Sequence, residues 1–85
     1  MNVCIVPGIF TLPMKKEIFL RNLGARIRLI RIEIGLTQAQ LAAKIGKTQQ
    51  SIQKLESGKF NPSIKYLLDL ADGLEINMKK LLETL

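Results

Sequence analysis

The stretch from Leu36 to Gly58, LTQAQLAAKIGKTQQSIQKLESG, organises the rest of the chain. Thr37 is suited to cap a helix, and Gln40 three positions on completes a T-x-x-Q capping box, so the spacing predicts a helix over Gln38–Ile45. Leu41, Ala42 and Ile45 face inward, and the small Ala42 suits the closest approach of two crossing helices. Gly46 supplies a left-handed residue at the helix end, and the chain turns within about three residues. Thr48 then caps another helix, with Ile52 and Leu55 inward at i, i+3 spacing and Gln49, Gln50, Gln53 and Lys54 outward.

A chain of 85 residues builds one small domain, because so short a chain buries only about 60% of its surface and cannot divide that between two cores. Its 47% hydrophobic and 24% charged residues place it among folded proteins rather than disordered ones. Thirteen Lys and Arg stand against seven Asp and Glu, giving +6. Lys44, Lys47, Lys54, Lys59 and Lys65 fall around the central stretch with Glu56 alone against them, whereas Asp69, Asp72, Glu75 and Glu83 outnumber Lys79 and Lys80 further on. The positive field is concentrated where phosphate attraction would need it.

Cys4 is the one cysteine and histidine is absent, which excludes Cys/His metal sites and histidine-based catalysis. No cofactor is implied. No convergent nucleophile, base or carboxylate constellation suggests an enzyme or a small-molecule substrate. No apolar run approaches the ~20 residues that cross a bilayer, so no membrane association is expected. Val3 to Met14 lacks a basic flank and is broken by Pro7, Gly8 and Pro13, unlike a signal peptide. A reduced, cytoplasmic setting follows as the expectation.

Residues 1–14 differ in character from the rest: apolar, non-helical because of Pro7, Gly8 and Pro13, and suited to short extended pieces. They form an N-terminal extension ahead of a domain over residues 15–85, and Met14 offers an alternative start. A first helix is predicted from near Lys15 or Arg21 to Ile34, ended by Gly35, with Leu23, Ile27, Ile30 and Ile34 as its core stripe. Ile18, Ala25, Leu29 and Ile32 make a second stripe on the opposite face; either residues 1–14, of this chain or a partner, cover it, or these are scattered exposed aliphatics of no consequence. Beyond the Lys59–Pro62 loop, Ser63 caps a fourth helix, Ile64–Gly73, with Ile64, Leu67, Leu68 and Ala71 as its apolar set. Asn77 caps a fifth from Met78 to Leu85, where Met78, Leu81, Leu82 and Leu85 repeat the helical period.

An α-helix fits the major groove of DNA, and adenine presents N7 and N6 side by side to a carboxamide that matches both. Gln49 and Gln50, in the first turn of a capped helix, are placed to read such base edges, and Lys54 one turn on can donate to guanine or phosphate. The free amides and positive dipole at the start of the preceding helix, with Gln38 beside them, suit a phosphate. Lys47, Lys59 and the loop near Asn61 supply further phosphate contacts, which position the protein without choosing a sequence.

The pattern L-G-x-x-I-R-x-I-R-x-x-x-G-L-T-Q-x-x-L-A from Leu23 to Ala42 resembles the Cro/C1-type (XRE-family) helix-turn-helix domain. TQQSIQKLESGK, Thr48 to Lys59, is similar to the recognition helix of lambdoid phage repressors. The resemblance spans residues 23–82 and implies an all-α, compact five-helix bundle of the lambda-repressor-like type with a central helix-turn-helix. It also implies a homodimer on a palindromic operator, with Gln38, Thr48, Gln49, Gln50 and Lys54 at DNA-contacting positions; Gln53, outward on the same helix, is counted with the phosphate-positioning residues. Arg31 would pair with Glu56 as a structural ion pair. Lys54 stands where such repressors often have glutamine, so the base preference there does not transfer.

The expected function is therefore a sequence-specific regulator that binds double-stranded DNA, acting as a repressor by occupying an operator. A phage-type repressor, a restriction-modification controller and the antitoxin of a toxin-antitoxin pair would share this head. The antitoxin alone needs a surface for a toxin or other protein partner, and the N-terminal segment with the second stripe is the candidate. A protein-interaction module with no DNA role is the competing class, which the basic centre and the Gln49/Gln50 pair argue against.

Overall fold

Side-chain oxygens start four of the five helices. In the computed structural model, which describes residues 15–83, the chain forms α1 (Lys16–Glu33), α2 (Gln38–Ile45), α3 (Gln49–Glu56), α4 (Ile64–Gly73) and α5 (Met78–Leu82). Thr37 Oγ1 accepts from the Gln40 amide at 3.0 Å while the Gln40 carboxamide accepts from the Thr37 amide at 2.8 Å, completing the capping box. Thr48 accepts from Ser51, Ser63 from Tyr66 and Asn77 from Lys80, each from the third backbone amide of its helix. Such caps satisfy donors that a helix start otherwise leaves orphaned. Lys15, ahead of α1, makes no side-chain cap.

The first four helices end alike. An amide five residues on donates back to a carbonyl of the last turn: Leu36 to Arg31, Lys47 to Ala42, Lys59 to Lys54 and Ile76 to Ala71, at 2.8–3.1 Å. That closure needs one residue at positive φ. Gly46 fills this place between α2 and α3 at φ 69°, whereas Glu75 fills it after α4 at φ 61° despite its Cβ.

α1 buries Leu23, Ile27 and Ile30 against Leu41 and Ala42 of α2, Ile52 and Leu55 of α3, Leu67, Leu70 and Ala71 of α4, and Leu74 and Leu81 beyond. Gly24 permits the tightest crossing. A Cβ there would lie 2.7 Å from the Glu56 carbonyl oxygen and nearer still to that of Leu55, so α1 rests directly on the backbone of α3. Gly73 likewise leaves room for the Ile45 side chain.

Three apolar expectations are corrected. Ile34 is 42% exposed, because α1 ends at Glu33 and the backbone leaves the helical path before Ile34 can join the stripe. Ile64 and Leu68 are 67% and 52% exposed, and α4 instead buries Tyr66, Leu67, Leu70 and Ala71. That face lies about a quarter-turn from the expected one; both fit a helical period, and the buried Leu74 just past the helix selects it. α5 stops at Leu82, which is itself exposed, while Leu81 is buried and Met78 packs on the core; Leu85 lies outside the described residues. The residues of the second stripe on α1, Ile18, Ala25, Leu29 and Ile32, are all exposed. Residues 1–14, expected to be non-helical and to cover it, also lie outside the described residues. No helix among the described residues is long and apolar enough to cross a membrane.

Candidate nucleic-acid interface

α2, the turn at Gly46–Thr48 and α3 form two short helices that pack on each other, with α3 also seated on α1. Ile52 and Leu55 anchor α3 from its inner side. Its outer side carries Gln49, Gln50, Gln53 and Lys54, all exposed, and no hydrogen bond to another described residue holds the three carboxamides. One face of a capped helix therefore offers three amides and a cation to an external partner.

The far end of α3 is fixed by charge. Arg31 Nε donates to Glu56 Oε2 at 2.6 Å and its Nη2 to Oε1 at 2.9 Å, a bidentate pair with both residues buried. Its Nη1 donates to the Leu36 carbonyl oxygen at 2.8 Å, so one guanidinium ties α1, the α1–α2 loop and α3 together. The hydrogen bond from Arg31 to Glu56 raises the guanidinium pKa despite the opposing effect of burial, so Arg31 stays charged. Such a pair is favourable only when its polar atoms find partners, and here each guanidinium nitrogen and both Glu56 carboxylate oxygens have at least one.

Gln38 is drawn into this pair. Its Nε2 donates to Glu56 Oε1 at 3.1 Å, leaving it half-buried rather than freely solvated in the first turn of α2. A carboxamide nitrogen carries two protons, so the second N–H remains for an external acceptor, held at the helix N-terminus by the first. Thr48, Lys59 and Asn61 are exposed.

Lys47 is not free. Its Nζ sits 3.1 Å from Asp69 Oδ2 and 5.0 Å from the centroid of the Tyr66 ring. The hydrogen bond from Lys47, aided by the charge of Lys65, holds the Asp69 carboxyl below its ordinary range. Lys65 reaches Asp69 at 3.5 Å and Lys44 reaches Glu75 at 2.9 Å, where it likewise lowers the Glu75 pKa. The positive region is narrower than the sequence suggests: acidic residues on and after α4 pair with Lys44, Lys47 and Lys65, while Lys54 and Lys59 have no carboxylate partner among the described residues.

Sequence reasoning misses Tyr66, Ser51 and Asp69. Tyr66 hydroxyl and Ser51 Oγ lie 2.8 Å apart, joining α4 to the start of α3, and Phe60 meets the Tyr66 ring edge-on at 5.1 Å. Nothing in a local pattern pairs a serine with a tyrosine fifteen residues on.

Comparison with known proteins agrees with this geometry. A helix-turn-helix (HTH_3) family model matches residues 27–81. An HTH-type transcriptional regulator of Archaeoglobus fulgidus is 44% identical over 46 residues, 54% of this chain and 66% of the relative. The CTXphi cryptic-phage transcriptional repressor RstR of Vibrio cholerae is 43% identical over 51 residues, 60% of this chain and 46% of the relative. The matches thus span less than two thirds of either relative's length. Among solved structures, the restriction-modification controller protein C.AhdI of Aeromonas hydrophila superposes with a TM-score of 0.72 at 34% identity, covering 73% of this chain and 94% of that one. With its capped α2, Gly46 turn and α3, all inside the matched residues, the chain belongs to the helix-turn-helix (HTH_3) family.

Proposed function

We propose that this chain is a sequence-specific transcriptional regulator of double-stranded DNA, acting as a dimeric repressor that lays α3 in the major groove of a palindromic operator. The observation that carries the reading is the outward face of α3, three unengaged carboxamides and Lys54 on a helix fixed behind by buried side chains. The regulator and repressor names of its relatives support it. Gln49, Gln50 and Lys54 read bases. Gln38, Lys47, Thr48, Gln53, Lys59 and Asn61 take phosphates around them, and residues 15–85 form the binding domain. The chain works without cofactor or catalysis, in the cytoplasm.

The test is fluorescence anisotropy with a duplex selected by the protein from random sequence and with a scrambled duplex, at several salt concentrations, with mass followed in parallel. Two protomers on the selected duplex, more tightly held than on the scrambled one at every salt concentration, is the expected result. Equal weak binding to both would sink the reading. Gln49→Ala should cost ~1–3 kcal/mol on the selected duplex and little on the scrambled one. Lys59→Ala should weaken both about equally.

A controller of a restriction-modification system is a second reading, favoured by 34% identity across 94% of C.AhdI. Mapping the promoters that the chain occupies in its own cells separates the two, since a controller must sit at the genes of such a system. An antitoxin role would use the exposed α1 stripe, and co-purification of a toxin with the chain would reveal it.

A further inference from the structure

α3 is held at two ends by different means. At its C-terminal end the backbone of α1 rests on Leu55 and Glu56, and Arg31 grips the Glu56 carboxylate. Its N-terminal end, where Gln49 and Gln50 project, meets α4 through side chains. Ser51 Oγ donates its single proton to the Thr48 carbonyl oxygen at 2.8 Å, so the 2.8 Å contact with Tyr66 must be donated by the phenol. The Tyr66 proton thus ends a chain that runs through Ser51 to the N-cap residue of α3.

The same face of α4 also restrains the turn before α3. Tyr66 and Asp69, one helical turn apart, present a ring face and a carboxylate to Lys47. Phe60 packs against the Tyr66 ring in a T-shaped pair, with an interplanar angle of 65°. A cation within about 6 Å of a ring centroid is attracted to its face, and here the carboxylate adds to that pull.

We infer that Tyr66 and Asp69 are positioning residues that set DNA specificity from the side of α3 facing away from the DNA. Tyr66 fixes the angle of the first turn of α3, on which the two-point match of a carboxamide to a base edge depends. Asp69 occupies Lys47 with an internal anion, so a phosphate must displace a carboxylate before it gains that charge. On a matched site the added base contacts drive the exchange, and on unmatched DNA nothing does. Both residues widen the gap between matched and unmatched sequences, Tyr66 by strengthening the first and Asp69 by weakening the second. The inference rests on the DNA reading given above.

Tyr66→Phe keeps the ring and removes the donor, and Ser51→Ala removes the acceptor from the other side; Asp69→Asn keeps the shape and removes the charge. All three, with the parent protein, are titrated against the selected and scrambled duplexes across a salt series, with melting followed by circular dichroism. Tyr66→Phe is expected to weaken the selected duplex alone by about three- to tenfold, as loss of one neutral hydrogen bond allows, with melting lowered only a few degrees. Adding Ser51→Ala to it should cost less than the two separate losses multiplied, since both break one connection. Asp69→Asn should tighten the scrambled duplex and steepen the log–log salt slope by about one phosphate's worth, near 0.9. Equal weakening of both duplexes by Tyr66→Phe would reduce the tyrosine to a folding role, and an unchanged salt slope in Asp69→Asn would show Lys47 already available; either result overturns the inference. Should the parent protein fail to discriminate between the duplexes, the DNA reading itself falls and this falls with it.

Discussion

Gly24 and Gly35 show how differently one residue type can act in the same chain. At Gly24 the missing Cβ makes room for the carbonyls of Leu55 and Glu56, which belong to a helix backbone and cannot swing aside. At Gly35 there is open space and a φ of 81°, so the constraint is conformational only. Gly24→Ala is therefore expected to destabilise by about 2–3 kcal/mol, as overpacking against a rigid neighbour does. Gly35→Ala should cost about 1–2 kcal/mol, the ordinary cost of a Cβ in the left-handed region. Urea melts of the two variants check the order. Glu56→Gln leaves Arg31 buried without its counter-charge, and a loss of about 3 kcal/mol is expected in the same assay. Single residues were legible where their duty is local. Thr37, Thr48, Ser63 and Asn77 announce themselves because a cap bonds three residues away. The steric duty of Gly24 was not legible, because it is set by carbonyls more than thirty residues on.

Among the helices, α4 shows where periodicity runs out. Its ten residues carry enough leucine and isoleucine to draw two overlapping stripes, and only the partners decide between them. The buried stripe includes Tyr66, whose hydroxyl finds Ser51, and leaves Ile64 and Leu68 outside. Leu67→Ala should accordingly cost about 2–4 kcal/mol, whereas Leu68→Gln should stay within about 0.5 kcal/mol. Comparable losses at the two positions in denaturant titrations would return Leu68 to the interior. α2 was legible down to its bounds, and α3 in its start and its inward residues, since each begins at a cap and is followed by a turn glycine. α1 was legible in its inner face, and its end was misjudged by one residue, enough to place Ile34 wrongly.

For the molecule as a whole, charge is divided. Acidic side chains on and after α4 face lysines of α2, the turn and α4 itself, and two of these carboxyls are held below their ordinary pKa. A carboxyl whose folded pKa lies below its unfolded value of about 4 binds more protons when unfolded. Asp69 and Glu75 therefore contribute stability that is fully present at neutral pH, persists above about pH 4, and is lost as the pH falls through their lowered folded values. Melting temperatures taken from pH 7 down to 2.5 should be level at first and then decline, and the Asp69→Asn, Glu75→Gln double variant should decline less. That internal pairing is also why net charge overstated the basic surface around α2 and α3: +6 is a property of the chain, whereas of the five lysines from Lys44 to Lys65 only Lys54 and Lys59 lack a carboxylate partner among the described residues.

The outer face of α3 has one more consequence. The side chains of Gln49, Gln50, Gln53 and Lys54 bury nothing and brace nothing within the described chain, so stability asks of them little more than that they suit a helix. On the proposed DNA reading, those four positions can be exchanged among good helix formers while the scaffold stays intact, which would let one ancestral body serve many operators. Gln38 lacks that liberty, because its amide is shared with Glu56 and any replacement is felt by the ion pair. Divergence in such a lineage should be quick at the four and slow at the fifth.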